Sequence, residues 1–189
     1  MRITFKCTNF TTNGNGTYSM YVKPSKESKL KQIPKGPNPR ELDKKSKMVK
    51  IIKASYAAND NRFGVKNRGI QAAIDDGSLE FDSKSGTISF RCTEKNTGHY
   101  DGQHTIYSVD CVLDDNPSIV YDNGVLLTLH EARVFNTLSE IRKAAQAIND
   151  CTSQKITSEA HIEGLFDDLK SFIDYTDLSN VGWCQHQLN

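Results

Sequence analysis

The chain lacks the features that mark a membrane span, a secretory leader or a disulfide scaffold. No apolar stretch approaches the eighteen or more residues that a membrane-crossing helix needs. The opening residues Met1 to Met20 are too polar for a secretory h-region, so a cytoplasmic location is expected and no membrane partner. Five cysteines (Cys7, Cys92, Cys111, Cys151 and Cys184) are an odd number without a CxxC pair, and their spacing signals neither a disulfide framework nor a zinc site. Reduced thiols are expected, with Cys111 buried ahead of Val112 and Leu113. A Cys111/His104 nucleophilic pair is the alternative there. There is no internal repeat and no low-complexity tract.

The composition is enough for one ordinary core: 189 residues with 37% hydrophobic content. A single domain over residues 1–189 is expected, mixed α/β over 1–136 and helical over 137–189. Net charge is +1 but unevenly spread. Residues 1–60 hold 13 Lys or Arg against 4 Asp or Glu, a net +9, whereas residues 61–189 hold 11 against 19, a net −8. Eleven cations lie between Lys23 and Lys53, dense enough to neutralise several phosphates if one face displays them. Arg40, Lys44, Lys45, Lys47 and Lys50 are the nucleic-acid contacts this suggests. The competing reading is a solvated face balancing the acidic remainder, where Asp167, Asp168, Asp174 and Asp177 cluster.

Periodicity outlines an α+β fold with a small mixed sheet. Arg2–Cys7 and Thr17–Val22 alternate across Asn13-Gly14-Asn15-Gly16 as a hairpin. Prolines 24 to 39 break regular structure, and Asp43 is expected to cap a lysine-rich helix with Met48, Val49, Ile52 and Tyr56 on one face. A strand follows Gly69, and a second hairpin spans 79–82 and 87–92. Asp101 to Leu113 reads as a helix ended by Asn116-Pro117. Gly124–Leu129 with Ala132-Arg133-Val134 supplies another strand. The last third reads as helical: Thr137-Leu138-Ser139-Glu140 has capping-box spacing before Ile141, Ala144, Ala145 and Ile148. Thr157 or Ser158 caps a closing helix carrying Ile162, Leu165, Phe166, Leu169, Phe172 and Ile173.

Gly98-His99-Tyr100-Asp101-Gly102-Gln103-His104-Thr105 concentrates groups that chemistry can use. A helix opening at Asp101 would present free N–H groups to an anion, unless Asp101 itself caps them. His104 and His99 are candidates for general acid or base, and with Asp101 for a divalent metal, although 99, 101 and 104 match no established ligand spacing. His130, His161 and His186 are weaker candidates. Arg68, in a glycine-flanked loop, suits either a bidentate pair with Asp101 or a substrate phosphate. Asn149, Thr152 and Gln154 lie between two expected helices and suit either a ligand or their own turn.

In this order, Asn38-Pro39-Arg40 with the lysine-rich helix, Phe63 with Asn67-Arg68-Gly69-Ile70, and Asp101-Gly102-Gln103-His104-Thr105 resemble the abortive infection phage resistance family, usually shortened to AIPR. Ala147-Ile148-Asn149 to Gln154-Lys155-Ile156-Thr157, leading into Gly164–Lys170, is similar to that family's Asn-Thr box and following helix. The resemblance spans nearly the whole chain, although Asn149-Asp150-Cys151-Thr152 replaces the more usual Asn-Thr-Ser order. Members are commonly longer, which implies a truncated or minimal form. The turn is also similar to the Asp-Gly-Gln-His-Arg signature of DNA-modification regulators and, more distantly, to the ParB and sulfiredoxin nucleotide-binding fold, with Thr105 in place of the arginine.

The resemblance implies a phage-defence protein that binds nucleic acid or a nucleotide through a polar cleft. In that cleft Asn67, Arg68, Gly69, Gly102, Gln103, Thr105, Asn149, Thr152 and Gln154 would hold the ligand. Asp101 and His104 are the catalytic candidates if the protein is instead a metal-assisted phosphodiesterase or nucleotide hydrolase. A nucleotide and a divalent metal are thus the cofactor candidates. A non-catalytic interaction domain is the third reading.

Overall fold

A computed structural model describes residues 2–37, 41–93 and 96–150, the side chains of 149 and 150 excepted. The chain divides into two compact units, Met1–Gln146 and Ala147–Asn189, and the sheet with its core belongs to the first. The fold is α+β. Its strands are β1 (Arg2–Thr12), β2 (Thr17–Lys23), β3 (Ile70–Ile74), β4 (Glu80–Asp82), β5 (Thr87–Arg91), β6 (Gly98–Asp101) and β7 (Val125–Glu131). Its helices are α1 (Lys47–Ala57), α2 (Phe63–Lys66), α3 (Gln103–Asp115) and α4 (Leu138–Asp150).

The strands form one sheet in the order β4-β5-β1-β2-β7-β3-β6, antiparallel except where β3 runs parallel to β7. Alternation fixes which face is covered: Ile3, Phe5 and Cys7 of β1, Met20 and Val22 of β2, and Val125, Leu127 and Leu129 of β7 are buried, with polar residues between them on β1. That apolar face joins one core with Ile52 and Tyr56 of α1 and Ile106, Val109, Val112 and Leu113 of α3. Tyr56 anchors it, with Tyr121 stacked at 5.1 Å and Phe63 edge-on at 5.0 Å. The β6 edge is not left open. Residues 34–36 lie along it, His99 N donating to Pro34 O (2.8 Å) and Gly36 N to His99 O (3.0 Å).

Several sequence expectations are corrected. Ser46, not Asp43, caps α1, its hydroxyl accepting from Val49 N (3.3 Å), while Asp43 accepts from Lys45 N (2.9 Å) in the turn before. Met48 is 55% exposed, because it falls on the flank of the Val49, Ile52 and Tyr56 stripe. Ala132–Val134 is a 3-10 turn rather than strand. Gly98–Asp101 is a strand that the reading of the turn as a helix start had hidden. The Thr137 cap forms, accepting from Glu140 N (3.3 Å), but the Glu140 carboxylate takes Asn136 N (2.8 Å) in place of the Thr137 N–H of a capping box. The closing helix expected after Thr157 lies outside the described residues, as do the acidic positions 167, 168, 174 and 177.

Glu131 ends β7 as a buried carboxylate accepting from Arg133 Nε (2.6 Å), Tyr18 Oη (3.0 Å) and Gly77 N (3.2 Å). Burial alone would raise its pKa, but these donors outweigh burial and hold the carboxyl below its ordinary value. Its contribution is therefore fully present above about pH 4.5, the ordinary glutamate range, and is lost as pH falls through the depressed folded value. Glu131→Gln is expected to cost roughly 1–2 kcal/mol at pH 7, with the gap to the parent protein closing toward pH 3. Melting curves at both pH values check this; an equal gap at each would contradict it.

Candidate functional site

The glycine-centred turn is a strand-to-helix junction. Asp101 is the last residue of β6, opposite Gln71, and Gly102 occupies the N-cap position of α3 at φ 88° without a side chain to cap it. Asp101 is thus not the cap the sequence suggested. A side chain at Gly102 would place Cβ 2.6 Å from Gly69 O and 2.8 Å from Ile70 Cα, and one at Gly69 would place it 2.2 Å from Leu126 O. Both glycines are spacers that let β7, β3 and the start of α3 approach.

Asn67 completes this junction. Its Nδ2 donates to Thr105 Oγ1 (3.1 Å) and its Oδ1 accepts from Gly69 N (2.8 Å), tying the loop before β3 to the buried first turn of α3. A latch between the two sequence boxes therefore exists, made by Asn67 and Thr105. Arg68 is exposed and makes no hydrogen bond or ion pair among the described residues. Asp101 and His104 are half-buried, and Gln103 encloses its Oε1 without a partner among the described residues. Asn149 falls within α4 rather than between helices. Thr152, Gln154 and Arg40 lie outside the described residues.

His99 and His130 are fold elements, whereas His161 and His186 lie outside the described residues. His99 is buried, and burial, with Lys35 adding to it, pushes its pKa down to about 4, which makes it a neutral imidazole at pH 7. His130 lies 3.2 Å from Thr17 Oγ1 through Nδ1 and packs against Tyr100 and Phe135. No group of three His, Cys, Asp or Glu side chains suited to a metal forms among the described residues. Cys111 is half-exposed rather than buried, one helical turn after Tyr107 on the same side of α3.

Lysines in and near the basic segment differ in whether a carboxylate partners them. Lys23, Lys29, Lys35 and Lys66 each pair with a carboxylate: Asp122, Asp114, Glu41 and Asp60 respectively. Lys44, Lys45, Lys47 and Lys50 are exposed and form no ion pair among the described residues. Lys44 Nζ and Lys53 Nζ both sit over the ring of Tyr107, 5.6 and 5.4 Å from its centroid, bringing two like charges to one aromatic ring.

A further concavity, which sequence reasoning missed, is a groove of about 330 Å³ whose lining includes Thr8, Asn9, Tyr21, Lys23, Asn61 and Asp122. It gathers residues from β1, β2 and two loops, so no contiguous motif announces it. The local signal was Asn59-Asp60-Asn61, a turn-forming run whose two asparagines stand at positive φ. Compared with family models, with curated proteins and with solved structures, the chain matches none.

Proposed function

We propose that the protein binds nucleic acid through the lysines that lead into and open α1, in the phage-defence role that its resemblance to the AIPR family suggests. The observation that carries this reading is the density of four exposed lysines, Lys44, Lys45, Lys47 and Lys50, none with a carboxylate partner among the described residues. Solvated cations held together without counter-charges repel one another, and a phosphate backbone relieves that repulsion while releasing its own counterions. Lys53 and Lys44 at Tyr107 extend the positive strip onto α3. A cytoplasmic location fits this role.

Hydrolysis at Asp101 and His104 has less support, since Asn67, Gly69, Gly102 and Thr105 around them are taken up in holding the junction. The test is binding of a labelled oligonucleotide against salt concentration. Each phosphate neutralised contributes about −0.9 to the slope of log K against log salt for duplex and about −0.7 for single strands. Replacing Lys44, Lys47 and Lys50 together by alanine is expected to flatten the slope by about 2 units. Absence of binding at low salt, or an unchanged slope, would remove the proposal.

A further inference from the structure

We propose that the groove bounded by Asn9, Tyr21 and Asn61 takes a single unpaired nucleobase, an inference that rests on the nucleic-acid reading and narrows it to single-stranded or flipped-out substrate. Charge argues for a base rather than a phosphate here. Lys23 and Asp122 in the lining stand 3.8 Å apart and offset each other, so the groove does not select for an anion as the α1 face does. Its volume of about 330 Å³ lies at the small end of ligand sites, which span roughly 300–1,000 Å³, and suits one ring system rather than a helix.

The lining supplies what a base edge needs. A carboxamide side chain offers a donor and an acceptor side by side, the pattern that base edges complement. Neither Asn9 nor Asn61 makes a side-chain hydrogen bond among the described residues. Asn59, Asn67 and Asn123 instead use their amides within the fold, on Val120 O and Asp122 N, on Thr105 and Gly69, and on Tyr56 O, whereas the exposed hairpin-turn residues Asn13 and Asn15 also leave theirs unpartnered among the described residues. Asn9 and Asn61 also stand at φ 54° and 57°, where glycine would hold the backbone with less strain. Asparagine tolerates that backbone better than most side chains and brings an amide with it.

Tyr21 supplies an aromatic ring. Gly64 and Gly124 let the backbone close on it: a Cβ at Gly64 would lie 2.6 Å from Tyr21 Cε1, and one at Gly124 3.0 Å from Tyr21 Cβ. A base presents its face and its pairing edge together only when unpaired, and stacking on such a ring is tolerant of sequence. Asn61 lies four residues beyond the end of α1 at Ala57, so the chain carrying the lysines leads to the groove.

A single-stranded oligonucleotide and an abasic strand of the same length, compared by fluorescence anisotropy, separate the two claims. The intact strand is expected to bind about tenfold tighter than the abasic one. The double substitution Asn9→Gly and Asn61→Gly should erase that difference while leaving the melting temperature unchanged or higher. Gly64→Ala, which drives the Tyr21 ring from its seat, should do the same by a second route. Equal binding of both strands by the parent protein would overturn the base site and leave the lysine face standing. A preference that survives all three substitutions would overturn it too. Binding of neither strand would remove both claims.

Discussion

Gly69→Ala is expected to lower stability by roughly 2–5 kcal/mol, a large fraction of typical totals of about 5–15 kcal/mol. Two terms add. Gly69 stands at φ +81°, where an L side chain costs about 1–2 kcal/mol. The new Cβ would also lie 2.2 Å from Leu126 O, a carbonyl at the start of β7 that cannot retreat without loosening the Ile70–Leu127 pairing of β3 with β7. Overpacking of that kind adds about 1–3 kcal/mol. At roughly 2–4 °C per kcal/mol for a chain of this size, the melting temperature should fall by about 4–20 °C. Gly77→Ala is the control. Its φ is +60° but nothing lies within 4 Å of the added Cβ, so only the backbone term applies. If the two variants melt alike, the close approach of β3 to β7 is not what requires glycine at position 69.

Asp110→Ala should produce the next largest loss, about 3 kcal/mol. Asp110 is buried on α3 and accepts from Leu30 N and Lys31 N, each at 2.9 Å, at the head of the short 3-10 helix Leu30–Gln32. Truncation leaves two donors without an acceptor, at about 1–3 kcal/mol for each that water cannot reach. Leu30 is wholly enclosed, so its N–H bears most of that cost. Burial pushes the Asp110 carboxyl above its ordinary value, and the two N–H groups offset this only in part. The associated stability is therefore greatest below the ordinary aspartate range and declines as pH rises through the folded value, opposite in sign to Glu131. Asp110→Asn, which keeps one acceptor and has no charge to bury, should lose less than half as much. Urea titration of the three proteins decides it. An alanine variant as stable as its parent would mean that the 3-10 turn stands without Asp110.

The sheet's hairpins were legible because alternation and turn chemistry agree locally: Asn13-Gly14-Asn15-Gly16 joins two strands whose buried residues fall every second position. β6 was not, because it has four residues, begins with glycine and buries Gly98, His99 and Tyr100 in succession, which resembles neither period. The helix cap shifted from Asp43 to Ser46 because both are good caps and only the three-dimensional path assigns one to the helix and one to the turn.

For the candidate site the obstacle was distance along the chain. Gly69 and Gly102 look alike whether they make room for a ligand or for a backbone, and the atom that decides for Gly69 is Leu126 O, which belongs to another strand. Lysine density was visible in the sequence. Which lysines are neutralised was not, since partners such as Asp114 for Lys29 and Asp122 for Lys23 come from the far half of the chain.

The strand order has a consequence for how the sheet is assembled. β1 and β2, made before the other strands of this sheet, lie in its interior, flanked by β5 and β7 that follow much later in the chain. The hairpin must wait with both edges open until Thr87–Arg91 and Val125–Glu131 arrive, and no local contact shortens those closures. Arg2, Thr4 and Lys6 give the outward face of β1 charged and hydroxyl side chains, the kind that oppose pairing of an open hairpin with a neighbouring chain.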